Sequence, residues 1–146
     1  MLPFELVEYR DRVKRTLESM GQLGIETLLV TNPANMCWLT GYDGWSFYVH
    51  QMVIVSAALD EPLWVGRLMD ANAARVTTYL KPESIYGYPD KYVQSTERHP
   101  MNYVSDLLKE KGLAGGSVGV EMETYYFTAA CFTTLLTDLT DAKLKD

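Results

Sequence analysis

The stretch "IETLLVTNPANMCWLTGYDGWSFYVHQMVIVS", residues 25–56, sets the architecture that the rest of the chain must complete. Its first seven residues, 25–31, form a nearly continuous β-prone run, the pattern of a strand covered on both faces. Asn32-Pro33 breaks that run, and 34–39 has room for one short helical turn before Thr40-Gly41. "SFYVHQMVIVS" (46–56) then reads as a longer strand. Between the two strands, Trp38, Tyr42, Trp45, Phe47 and Tyr48 crowd around a Gly-Tyr-Asp-Gly turn. The strand reading sends Phe47 and Val49 into the sheet. It leaves Tyr42, Asp43 and Trp45 on an exposed loop, where a large apolar patch marks an interface or a ligand groove. Trp and Tyr faces also attract cations, and Asp43 adds charge.

Working outward, Leu6, Tyr9, Val13, Leu17 and Met20 form one stripe of an amphipathic helix closed by Gly21 and Gly24. "DEP" (60–62) turns the chain into a third strand, "LWVG" (63–66), antiparallel to its predecessor. Asp70 is placed to cap a helix over "ANAARVTTYL", and "SIYGY" (84–88) predicts a short strand. Pro100 suits the first position of a helix whose buried face is Met101, Val104, Leu107 and Leu108. "SVGVEM" (117–122) predicts a strand. "YYFTAACFTTLLTDL" predicts a helix with two apolar stripes, Phe127–Cys131–Leu135 and Phe132–Leu136, and therefore a well-buried one. "DAKLKD" starts a last short strand or a linker. Strands alternating with helices, plus one hairpin, define an α/β fold with a mixed β-sheet flanked by helices.

A length of 146 residues fits one domain, 1–146, with no Pro/Gly/Ser linker to divide it. The net charge of -6 and the scattered basic residues argue against nucleic acid. The densest basic group, Arg10, Arg12, Lys14 and Arg15, reads as one solvated helix face. No apolar run approaches a membrane span and no signal peptide is visible, so a cytoplasmic location is the expectation. Two isolated cysteines, Cys37 and Cys131, fit free thiols in a reducing compartment.

Motifs for chemistry are sparse. "GGSVGV" (115–120) follows a helix and precedes a strand, the reverse of a phosphate-binding loop, so its glycines read as a helix stop. Glu121 and Glu123 share a strand face but lack further ligands nearby, which favours solvent exposure or a helix cap. His50, expected in mid-strand, and His99, before Pro100, match no metal-ligand spacing. Each reads either as a satisfied structural histidine or as a cleft residue. No cysteine has a plausible histidine partner, and no nucleophile motif is present. The sequence therefore offers no catalytic residue and no metal ligand.

The strings "VTNPANMCWLTGYDGWSFYVHQ", "GRLMDANAA", "GYPDKYVQSTERHPM" and "VGVEMETYYFTAA" resemble the N-terminal domain of creatinase/prolidase-type hydrolases, the pita-bread family. The resemblance runs from about Phe4 to the end of the chain. "GYDGWSFYVHQ" and "YVQSTERHPM" are most similar to its ectoine-hydrolase branch. The resemblance implies a ribonuclease-H-like fold. It also implies that catalysis, and any divalent metal, belongs to a C-terminal domain lying beyond this chain. Implied partners are that catalytic domain, a second subunit in a homodimer, and a small-molecule substrate of the parent hydrolase. Relatives carry Phe-x-Arg at the start of the second strand, the arginine pairing with the substrate carboxylate. Phe47, Tyr48 and Val49 stand there instead, which suits a compact cyclic or zwitterionic substrate.

The expected cleft residues are Tyr42, Asp43, Trp45, Tyr48, His50 and His99, with Arg67 as an outlying candidate. Two other readings stay open: the corresponding domain of an Xaa-Pro dipeptidase or aminopeptidase, and a stand-alone binding or assembly module.

Overall fold

A computed structural model describes residues 2–146. Five helices enclose a six-stranded sheet: α1 (Leu6–Leu23), β1 (Thr27–Val30), α2 (Pro33–Thr40), β2 (Met52–Ser56), β3 (Leu63–Arg67), α3 (Ala71–Thr77), β4 (Ile85–Tyr88), α4 (Pro100–Glu110), β5 (Gly116–Val120), α5 (Ala129–Asp138) and β6 (Ala142–Lys145). The sheet order is β4-β3-β2-β1-β5-β6. β1–β2 and β2–β3 are antiparallel, while β3–β4, β1–β5 and β5–β6 are parallel, so the sheet is mixed as expected.

Every residue of β2 is buried because both faces of the sheet are covered. The two-residue period of the strand sorts its side chains. Met52 and Ile54 join the cluster containing Met101, Leu108 and Leu135 of α4 and α5. Val53 and Val55 join the cluster containing Met20, Met36, Leu39 and Trp64 on the α1–α3 side. The result is three layers, with apolar packing on both sides of one sheet.

The second strand is shorter than its sequence predicts. Residues 46–51 are not a strand; the backbone N–H of Val49 donates to the Ser46 carbonyl in a tight turn. A strand persists only where a neighbour offers a ladder. β1 pairs Val30 with Val53 and then stops, because the N–H groups of Thr31 and Asn32 turn aside to the Glu121 carboxylate at 2.6 and 2.7 Å. With that ladder gone, Phe47 and Val49 do not enter the core, and Phe47 is 42% exposed. His50 likewise lies on a loop and not in mid-strand.

Several local expectations are corrected in the same way. Gly24, in the left-handed region at φ 63°, closes α1, whereas Gly21 stays inside the helix. Arg12 leaves the solvated face: it is buried, donates to Glu8 and to the Trp38 carbonyl, and stacks on Phe4, Tyr9 and Trp38. Asp70 precedes α3 but makes no cap, because the chain enters α3 through a 3₁₀ turn with Asp70 already in helical conformation. α5 begins at Ala129, after Thr128 accepts the N–H of Cys131; it buries Cys131 and Leu135 while Leu136 faces solvent. β5 ends at Val120, so Glu121 leaves the strand and holds the start of α2 rather than the helix that follows it. β6 confirms the strand reading of the C-terminal segment. Among the described residues no helix is long and apolar enough to cross a membrane.

Candidate functional site

The end of the sheet where β2 starts and β4 finishes carries a cavity of about 160 Å³. Tyr48 and His50 reach it from the aromatic loop, Tyr88 from β4, Tyr92 from the following 3₁₀ turn, and Arg98 and His99 from the approach to α4. Gln94, also in its wall, has φ 50° and is the one non-glycine residue with positive φ among those described. Such strain persists only where surrounding structure enforces it, and it gathers at ligand-binding walls.

His50 is held from several sides. Tyr88 donates its hydroxyl proton to the His50 carbonyl, and the imidazole lies against Cys131 Sγ. Burial lowers the His50 pKa, with the nearby Tyr126 backbone acting in the opposite sense. The His50 and His99 rings lie 4.7 Å apart, centre to centre. His99 is the N-cap of α4: its Nδ1 accepts the Met101 N–H at 3.1 Å, and its own N–H donates to Asn102 Oδ1 at 2.7 Å. Asn102 in turn donates to Asp138 of α5. Burial first, and the neighbouring His50 second, push the His99 pKa down to about 4.

That depression has a stability consequence. In the unfolded chain His99 titrates near 6.5, so between 6.5 and about 4 the unfolded state binds the extra proton. Stability is complete above 6.5 and falls as the pH drops through that window. Because the ring is part exposed, the expected loss is about 1 kcal/mol and not the full shift. His99→Asn puts a capping oxygen in place of the imidazole Nδ1 and cannot titrate. Urea unfolding in chelator-treated buffer at pH 7 and pH 4.5 is therefore expected to show a smaller pH-dependent loss in the variant than in the parent. An equal loss in both assigns the pH dependence to other groups.

The remaining expected cleft residues divide by position. Tyr42 is only 2% exposed; it packs on Trp64 and donates to Gln51 Oε1 within the core, away from the cavity. Gly44 is obligatory beside it, since a Cβ there would overlap the Tyr42 hydroxyl. Asp43 is exposed. Trp45 is 82% exposed and forms, with Phe47, Tyr48 and Tyr126, a continuous aromatic ridge next to the cavity. Arg67 does not line the cavity; it forms a two-point ion pair with Asp90, which anchors the turn carrying Tyr92. Sequence reasoning did not single out Tyr88, Tyr92 and Arg98 as cleft residues, although the string "GYPDKYVQSTERHPM" that carries the resemblance contains all three.

It also missed a cysteine–histidine contact. Cys131 Sγ lies 3.5 Å from His50 Nδ1, 81 positions away along the chain. His50, His99 and Cys131 offer ligand atoms that all fall within 4.8 Å of one another. Three separate elements supply them, so no local spacing records the group. The Thr128 hydroxyl lies 3.4 Å from the sulfur, and burial raises the thiol pKa.

A mixed-sheet α/β domain with an aromatic and histidine-lined cleft at one sheet end defines the class. The chain belongs to the creatinase/prolidase N-terminal domain family, whose pattern matches residues 12–146. It is 46% identical to the ectoine hydrolase of Halomonas elongata over 99% of this chain and 36% of that protein. It is 41% identical to the uncharacterized hydrolase/peptidase y4tM of Sinorhizobium fredii over 100% of this chain and 37% of that protein. The chain thus spans little more than a third of the length of these curated relatives. Its fold matches the N-terminal domain of Xaa-Pro dipeptidase from Lactobacillus brevis with a TM-score of 0.73 at 16% identity, covering 90% of each chain.

Proposed function

We propose that this chain is the non-catalytic N-terminal domain of an ectoine-hydrolase-like enzyme, a hydrolase of ring C–N bonds. The observation that carries the reading is the 46% identity to an ectoine hydrolase across 99% of the chain. The cleft geometry supports it. Tyr48 and Tyr92 offer faces to a delocalised cation, and Arg98, paired here only with the exposed Glu97, offers a carboxylate partner, together suiting a compact zwitterion. The ridge of Trp45, Phe47 and Tyr48 exposes apolar area that a catalytic half or a second subunit would cover. On this reading the parent is a cytoplasmic homodimer, and any divalent metal its chemistry uses belongs to the catalytic domain.

The test compares the full-length parent against ectoine and Xaa-Pro dipeptides side by side. Turnover of ectoine alone is expected, and preference for the dipeptides would replace this reading with a peptidase one. In the same enzyme, Trp45→Ala is expected to lower kcat/KM by about 10-fold or more, since a ridge that closes the site positions substrate. The 146-residue chain by itself is expected to give no product from ectoine with or without added divalent metal.

A further inference from the structure

We propose that His50, His99 and Cys131 form a binding site for one zinc-class divalent cation inside this domain, with its fourth position open to the cleft. The set is chemically coherent: one thiolate and two imidazoles suit zinc, and the absence of a carboxylate or carbonyl ligand disfavours magnesium and calcium. Bond lengths of about 2.3 Å to sulfur and 2.05 Å to nitrogen put neighbouring tetrahedral ligand atoms roughly 3.6 Å apart. The Cys131–His50 separation of 3.5 Å already meets that requirement. The wider limit for the trio, 4.8 Å, calls for a movement of about 1 Å by the His99 side chain, which lies at the N-cap of α4.

Outer groups are in place for this role. The Tyr126 backbone lies beside the His50 ring and acts on it in the sense of favouring a bound positive charge. The Thr128 hydroxyl points at the sulfur, and Cys131 sits in the first turn of α5, where the helix N-terminus favours a thiolate. Cys131 is buried, while His50 and His99 line the cavity. A metal held by all three would therefore present its free coordination position to the cavity and not to the core. Binding replaces the thiol proton, which leaves to solvent. Ligation by His99 Nδ1 releases the Met101 N–H to water, a small cost beside the strength of a thiolate–imidazole site.

Cobalt(II) titration of the reduced, metal-free 146-residue chain tests the site without reference to what the cleft receives, so it does not depend on the proposed substrate. The expected result is one cobalt per chain, with a thiolate-to-cobalt charge-transfer band and tetrahedral visible bands that added zinc removes. Cys131→Ser is expected to abolish the charge-transfer band, and Cys37→Ser to leave it intact. His50→Ala and His99→Ala are each expected to weaken binding on the order of 100-fold. Zinc is also expected to raise the melting temperature of the unmutated chain, a readout that needs no variant to fold. Absence of the band in the unmutated chain, or its survival in Cys131→Ser with loss in Cys37→Ser, overturns the site.

Discussion

Trp64→Ala is expected to lower the unfolding free energy by about 3–5 kcal/mol, whereas Trp45→Ala changes it by less than about 0.5 kcal/mol. Trp64 has no exposed surface; it lies on β3 beneath α1–α3, against Tyr42 and beside Val53 and Ala74. Removing its indole leaves a cavity between sheet and helices that neither layer can close, because both are pinned by the ladder on one side and α2 on the other. Gly66, two residues along the same strand face, has its Cβ space filled by the Trp64 ring, so no neighbouring side chain stands ready to fill the gap. Trp45 has no comparable surroundings. For a chain of this size the difference corresponds to a melting temperature lower by roughly 10 °C for the Trp64 variant. Thermal unfolding followed by circular dichroism reads both. A Trp45 variant destabilised as much as the Trp64 variant would place the aromatic ridge in the core and remove the argument that it awaits a partner.

Glu121→Ala is expected to cost about 2–3 kcal/mol, more than its partly exposed position suggests. Its carboxylate accepts the N–H groups of Thr31 and Asn32, the Thr31 hydroxyl and the Asn35 amide. One side chain thereby satisfies the last donors of β1 and the first free donors of α2, and fixes where β1 ends. Glu121→Gln keeps the shape but loses the charge and one acceptor, so a smaller loss of about 1 kcal/mol is expected. Urea unfolding of the two variants checks the order. A cost within 0.5 kcal/mol of zero for Glu121→Ala would mean that water replaces the carboxylate freely. The junction would then be set by Asn32, whose side chain caps Ala34, and by Pro33.

Much of the fold was legible because it is written in local chemistry. The stripe of α1, the Pro100 start and the buried face of α4, and the hairpin of β2 and β3 each depend on residues close in sequence. The exceptions share one cause. The sequence offered eleven β-prone residues at 46–56, and the fold used only the last five, because a strand needs a neighbour and β1 had turned away to Glu121. Arg12 was misplaced for a similar reason. Nothing within a turn of it announces the Trp38 carbonyl and the aromatic rings that admit a buried guanidinium.

The site follows the same division. Tyr48, His50 and His99 were expected at a cleft and do line the cavity, while Tyr42 went to the core and Arg67 to Asp90. The sequence by itself determined the layered α/β class, the family and an aromatic loop too apolar for solvent, since periodicity, turn residues and motif strings are properties of neighbours along the chain. Only the tertiary structure decided which aromatics stay outside and which histidine meets Cys131. Those outcomes depend on where the sheet ladder stops and on contacts between residues 81 apart, which no local pattern encodes.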